Sequence, residues 1–386
     1  MNLRRPILQI IVGVILLNSH IAFSQTKVND KFGKGITFLA NDTSFKVNLE
    51  FRIQNRYDGF YLITEDTSYT GTAYEDKFYI RRSRLKLNGF AFSPKLKYKF
   101  EYDLVKGIIL DAVIKWNFAG HFDLWVGQTK LAGNRERVIS SQKLQFVDRS
   151  LLNANYTLDR DKGLQLRHHF SLGKILIREV ASVSIGEGKN YTDLSGSSGY
   201  NYTERIEILP FGEFKKKGDY IGGDIAREEN LKLSLGFTYD YNDNAIQEHG
   251  QKGDVMTESR DLTTYFGDMM LKYRGLSIMG EYASKSATVS PTIIDTSGLV
   301  IGSFYTGTGI NLQLGYLFEN NWEVAGRMTQ ISPDDITGNP DVEMYTFGIS
   351  KYIVGHSLKV QSDFSIIQTE GEEDKLGIRI QMELAL

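Results

Sequence analysis

From Phe45 onward the chain alternates apolar and polar residues one for one, the period of a strand whose two faces meet different surroundings. Phe45, Val47, Leu49, Phe51, Ile53 and Tyr57 interleave with Lys46, Asn48, Glu50, Arg52, Gln54 and Arg56. The last run repeats this, setting Leu376, Ile378, Ile380, Met382, Leu384 and Leu386 against Lys375, Gly377, Arg379, Gln381, Glu383 and Ala385. Helical spacing is scarce. The runs predict 16 strands, near 45–63, 76–89, 95–105, 108–118, 121–129, 162–172, 174–186, 204–214, 230–241, 262–274, 276–289, 302–318, 321–332, 341–352, 355–369 and 373–386. Weak alternation at 174–186 and 204–214 leaves 14 or 18 open.

An even number of strands, with both chain ends of one kind, suits a ring closed by antiparallel pairing. The connections also alternate in length. Short turns such as Ser93-Pro94, Ala119-Gly120, Arg274-Gly275 and Asn320-Asn321 trade with long polar stretches near 131–161, 187–203, 242–261 and 288–302. Two places break the pattern, a short Lys106-Gly107 and a long 215–229. The expected fold is an all-β transmembrane antiparallel barrel with short periplasmic turns and long outer loops. A soluble sandwich would also alternate, but many runs here approach the roughly 9–11 residues a strand needs to cross a bilayer, above the usual five or six. Aromatic rings gather toward run ends, among them Tyr57, Tyr98, Tyr102, Trp116, Phe118, Tyr239, Tyr241, Tyr273, Tyr316, Phe318 and Trp322, as girdles at lipid–water boundaries do.

Composition sharpens this picture. With 41% hydrophobic residues and a mean hydropathy of -0.28, the chain is too polar for a bundle of membrane helices but not for a barrel with a wet lumen. Residues 1–24 read as a secretory signal: Arg4 and Arg5, an apolar run Ile7 to Leu17, then Ala22-Phe23-Ser24 before Gln25. That divides the chain into a signal peptide at 1–24, a periplasmic N-terminal segment at 25–44 and a barrel at 45–386. Removing 1–24 leaves 43 Lys and Arg against 47 acids, a balance that argues against nucleic-acid binding. No Cys is present in the sequence, which suits a fold held by backbone pairing.

The segment FYIRRSRLKLNGFAFSPKLKYKFEYD at 78–103 resembles the signature hairpin of the phosphate-selective porin O and P family. VGQTKLAGNRERVISSQKLQFVDRSLL at 126–152, RDKGLQL at 160–166 and GINLQLGYLFENNWEVAGRMTQISP at 309–333 are similar to further blocks of that family, in the same order over nearly all of the mature chain. The resemblance implies a homotrimeric, sixteen-stranded porin in the outer membrane of a Gram-negative bacterium, passing phosphate or other small anions through a lumen lined by Arg and Lys. The chain departs from common outer-membrane usage in ending Ala385-Leu386 rather than on an aromatic residue.

Anion passage needs positive charge on the wet face, where low-dielectric walls focus the field on a narrow water column. The strand register puts 16 basic residues there against 11 acidic ones. Those expected to contact anions are Arg52, Arg56, Arg82, Arg84, Lys86, Lys97, Lys99, Lys115, Arg327 and Arg379, with Arg82, Arg84 and Lys86 the densest row. Lys46, Arg167, Lys232, Lys272, Arg274 and Lys359 share that face, whereas Arg81 has the parity of the outer one. Guanidinium suits phosphate because its planar fork donates two parallel hydrogen bonds and keeps its charge. Pairing with lumen carboxylates, which would only stiffen the wall, is the competing role for each. The 131–161 connection is the candidate constriction, carrying Arg135, Arg137, Lys143 and Arg149. Enzyme signals are poor: His168 and His169 are neighbours on a strand and point to opposite faces, and no G-x-S-x-G, H-E-x-x-H or Walker motif occurs. No cofactor, metal or catalytic residue is expected. A structural or adhesive barrel with a plugged lumen, or an outer-membrane enzyme, are the alternatives to a pore.

Overall fold

The computed structural model describes residues 31–63, 73–192 and 199–386. The expected signal segment and residues 25–30 lie outside the described residues.

Sixteen strands form one ring: β1 Phe45–Leu62, β2 Ala73–Ala91, β3 Ser93–Asp103, β4 Ile108–Ala119, β5 Phe122–Lys130, β6 Arg160–Leu172, β7 Ile175–Ser184 and β8 Asn201–Leu209. The second half is β9 Lys232–Gln247, β10 Val255–Tyr273, β11 Leu276–Ala287, β12 Gly307–Leu317, β13 Trp322–Pro333, β14 Val342–Val354, β15 Leu358–Thr369 and β16 Lys375–Ala385. Each strand pairs antiparallel with the next, and β16 closes on β1 from Lys375 opposite Leu62 to Ala385 opposite Arg52. Closure removes the free edges that an open sheet would present to lipid, so that ladder N–H and C=O groups pair between neighbouring strands around the ring. A short strand, Ile36–Leu39, pairs with β1 from Leu49 to Lys46 and so continues the edge that β16 leaves below Ala385.

The two faces sort as the alternation predicts. Outward lie Leu312, Leu314, Phe347 and Met382, each about half exposed and together part of an apolar wall. Trp116, Phe118, Tyr273, Tyr316, Phe318 and Trp322 stand on that wall beside the turns at the end where both termini lie, forming one girdle. Gly89 faces outward on β2, and Tyr98 opposite it donates from its hydroxyl to the Lys46 carbonyl at 3.1 Å. A side chain at 89 would collide with that carbonyl.

Three expectations need correction. The 242–261 stretch is not a long loop, because β9 and β10 extend as a paired ribbon that leaves only 248–254. The 288–302 loop holds a small hairpin, Thr292–Ile294 with Val300–Ser303. Arg274 sits exposed in a turn, its guanidinium 5.2 Å from the outward Tyr273 ring, and so leaves the lumen set.

Two connections enter the barrel. From the end opposite the termini, residues 131–159 turn inward, and Leu131, Leu152, Tyr156 and Leu158 pack on the inward side chains Phe266, Ala283 and Ile331. Deeper, Ile139 and Leu144 meet Met270 and Met279. From the termini end, the long connection after β8 brings in Phe214, which joins that second cluster. Apolar contacts inside a polar lumen thus hold both segments against β10, β11 and β13, with Leu176 of β7 and Leu209 of β8 joining the deeper cluster.

Candidate functional site

The space left free runs beside the opposite wall. A cavity of about 660 Å³ lies between the inserted 131–159 segment and the inward faces of β2 to β8. On β4 its lining extends from Ile108 to Lys115, and on β6 from Arg160 to His169, so it follows most of the wall's height. Fifteen Lys and Arg residues line it against eight Asp and Glu.

Local geometry places these charges. At β2 an extra residue interrupts the ladder: Gln54 opposes Arg82 while the next residue, Asn55, opposes Ile80. The bulge turns Arg81 inward beside Arg82, contrary to its expected outward parity. Arg81, Arg82 and Arg56 converge on Asp148 of the inserted segment at 3.2, 3.5 and 2.6 Å. Arg84 donates to Glu101 at 2.9 Å and Asp103 at 3.3 Å. Lys99 reaches Glu101 at 2.8 Å and Asp111 at 2.7 Å, and Arg160 reaches Asp111 at 3.2 Å.

The inserted segment is pinned by buried polar contacts. Arg135, fully enclosed, donates to Asp268 at 2.7 Å, Ser234 at 2.9 Å and the Asp219 carbonyl at 3.2 Å. Lys130 caps the one-turn helix Arg135–Val138 by donating to the carbonyls of Arg137, Val138 and Ile139. Glu136 accepts from the N–H and hydroxyl of Ser150, which in turn caps the helix Leu151–Tyr156. Arg137 pairs with Asp159, and Arg149 donates to the carbonyls of Glu136 and Ile139. Burial lowers the Arg149 guanidinium to about 10, against the pull of Glu136 and Asp148, so it stays charged at neutral pH. Burial, then the repulsion of Arg137 and Arg160, lowers Lys189 in the 185–200 connection to about 8.

Of the residues expected to contact anions, Arg82, Arg84, Lys99 and Lys115 line the cavity, as do Arg137 and Arg149 of the candidate constriction. The rest lie elsewhere. Arg52 pairs with Glu383 at 3.3 Å and Lys86 with Glu50 at 2.6 Å, while Lys97 stands opposite Lys115 nearer the termini end. Arg327 donates to the Asp148 carbonyl at 2.9 Å and lies over Phe146, and Arg379 lies over Phe60. Arg135 is a structural anchor rather than a lining group, and Lys143 lies outside the lining, its carbonyl accepting the Gly222 N–H at 2.8 Å.

Sequence reasoning missed Arg81, Arg160, Arg178 and Arg205 in the lining. Arg178 and Arg205 sit in the two weak runs. In β8 the inward set Asn201, Thr203, Arg205 and Glu207 is regular, but Glu204 interrupts its outward apolar face. Trp125, an inward aromatic ring on a wet wall, was also unmarked. His168 and His169 do point apart: His168 meets Glu179 at 2.9 Å, and His169 meets His121 at 3.1 Å.

Residues 47–213 match the model of the family described as phosphate-selective porin O and P. The block at 309–333 lies beyond that match. No curated protein matches the chain in a sequence comparison. Among solved structures, the anion-selective porin from Comamonas acidovorans has a TM-score of 0.55 at 10% identity, covering 89% of this chain and 100% of that one. The outer membrane channel DcaP of Acinetobacter baumannii gives 0.53 at 13% identity, covering 91% and 100%. OmpT of Vibrio cholerae in its trimer form gives 0.52 at 11%, covering 87% and 99%. These share the fold. The family match and the apolar outer wall place the chain in the outer membrane of a Gram-negative bacterium as a porin-type barrel.

Proposed function

We propose that this chain, which over residues 47–213 belongs to the phosphate-selective porin O and P family, is a passive channel for small anions, phosphate and related oxyanions foremost. It works as a homotrimer with the inserted 131–159 segment setting the bore from the outer side. One observation carries the reading: the cavity beside that segment is lined by fifteen basic residues and eight acidic ones in a chain that is net negative overall. A basic surplus confined to a narrow aqueous path between low-dielectric walls raises the local anion concentration and repels cations. An entering anion exchanges part of its hydration for Arg and Lys donors and moves between several moderately weak sites down its gradient. Carboxylates such as Glu101 and Asp111 between the cations keep each stop weak enough to leave. Passage of this kind needs no catalytic group and no cofactor. The anion-selective porin from Comamonas acidovorans, alike in fold, lends support.

The test is the zero-current potential of the reconstituted protein in a planar bilayer under a KCl gradient, followed by addition of phosphate to the chloride current. Chloride preference with block by phosphate is expected, and cation preference overturns the reading. A plugged structural barrel is the second reading, favoured by the two segments that enter the lumen from opposite ends. Liposomes bearing the protein should swell in small-solute solutions if the β2–β8 side conducts, and stay inert if the barrel is plugged.

A further inference from the structure

We propose that Lys115 and Arg167, held together on the ring of Trp125, form the subsite at which the anion dwells, and that its ligand is a small oxyanion such as phosphate. This rests on the channel reading above and adds the place of binding within the channel.

Most cations along the conduit are neutralised where they stand. Arg84, Lys99, Arg137 and Arg160 each have a carboxylate partner, and Lys130 spends its donors on backbone carbonyls. Lys115 and Arg167 differ. The Lys115 Nζ lies 3.6 Å from the Trp125 ring centroid and the Arg167 Cζ lies 4.0 Å from the same point. Among the described residues neither is ion-paired: Arg167 donates to the neutral Gln165 Oε1 at 3.0 and 3.3 Å. Asp123 stands opposite Arg167 in the β5–β6 register, but its carboxylate takes a hydrogen bond from Asn117 at 3.3 Å. The residue opposite Lys115 on β3 is Lys97, another cation.

An aromatic face attracts a cation through its quadrupole yet carries no net charge. Trp125 therefore fixes two cations on one ring without cancelling the field they cast into the water, which a carboxylate in its place would do. A wall position otherwise suited to polar residues holds this large ring, and stacking the two cations accounts for it. All three residues line the cavity toward the termini end, past the carboxylate-rich stretch around Glu101 and Asp111. An anion leaving that stretch meets a pair of uncompensated donors there.

The test uses the full chain in planar bilayers and in lipid vesicles. Lys115→Gln with Arg167→Gln is expected to raise the phosphate concentration that halves the chloride current by about tenfold or more, and Trp125→Leu by roughly threefold. A chain with Trp116→Phe and Trp322→Phe keeps Trp125 as its single tryptophan. Iodide should quench its fluorescence several-fold better than caesium, and inorganic phosphate should protect it. If the parent channel prefers anions but block is unchanged in the double variant, the subsite is wrong and the channel reading stands. If the parent prefers cations, both fall. Should the Gln variants fail to assemble, equal quenching of Trp125 by iodide and caesium, or no protection by phosphate, overturns the subsite.

Discussion

Arg135 Nε stands 2.7 Å from Asp268 Oδ1 with both side chains closed to solvent, tying the inserted 131–159 segment to β10 across the lumen. Glu207 is also within 3.4 Å of Arg135, and Arg205 supports both carboxylates at 2.7 Å and 2.9 Å. A cation removed from such a cluster leaves buried negative charge, at a cost of about 3–5 kcal/mol. Arg135→Leu should therefore loosen the segment while the β-ladder persists. Single-channel recordings are expected to show a larger and noisier conductance, with the barrel still resisting SDS at room temperature. A variant with the parent's conductance and noise would show that the segment's remaining apolar and polar contacts hold it without Arg135.

The ring itself was legible because two solvents impose a strict period of two over strands long enough to count. The site was legible only in part. Parity assigned Arg84, Lys99 and Lys115 to the wet face, but one extra residue at Arg81 reverses parity, and nothing in local composition marks it. Which wet cations line free space depends on where the 131–159 segment packs. That is set by Leu131, Leu152 and Tyr156 meeting Phe266 and Ile331, contacts between positions far apart in the chain. Arg135 reads as a pore cation in sequence because its partners Asp268 and Glu207 lie on strands that sequence alone does not bring near it.

Lys189 gives the conduit a pH response. Burial and its cationic neighbours lower its ammonium to about 8 although it pairs with Asp159 at 2.7 Å, so its charge is lost as the pH rises through that value. Raising the pH from 7 to 9 removes one positive charge from the lining at the end opposite the termini. In bulk-like water a unit charge about 8 Å from a passing anion is worth roughly 0.5 kcal/mol, a change of about two-fold. Anion preference read from the reversal potential should fall by that order across this interval. Lys189→Gln should abolish the step, and a step surviving in that variant would assign it to another group.

Arg84 separates a selectivity role from a structural one. With Arg84→Gln, Glu101 keeps Lys99 at 2.8 Å, and Asp103 keeps the N–H groups of Val105 and Lys106 at 3.1 and 3.2 Å. The wall should assemble, with anion preference lowered by roughly two-fold for the lost charge. Arg84→Glu instead adds a third carboxylate to a pair already close together, and reduced assembly is expected beside any change of ion preference. Equal preference in parent and Arg84→Gln channels would mean that Arg84 only balances its neighbours.

The connection after β8 narrows the lumen from the termini end. Lys272 donates to the carbonyls of Gly218, Ile221 and Gly223 at 2.8, 2.9 and 2.7 Å, and Tyr220 stacks near Arg178 while bonding Glu207. Gly222 lies so near Gln145 that a Cβ there would meet its backbone N at 2.5 Å, so this segment and the 131–159 segment interlock. Replacing 212–230 by a two-residue turn frees Lys272, whose ammonium then adds an unpaired charge to an opened lumen. Conductance should rise and anion preference should be kept or strengthened, because a buried donor becomes available to ions. Arg178 loses Asp219 at 2.5 Å but retains Glu207 at 3.3 Å, so the β7–β8 wall stays charged-balanced and folded. If the shortened channel conducts no better than the parent, the narrowest point lies within the 131–159 segment alone, and the termini-end connection serves only as its support.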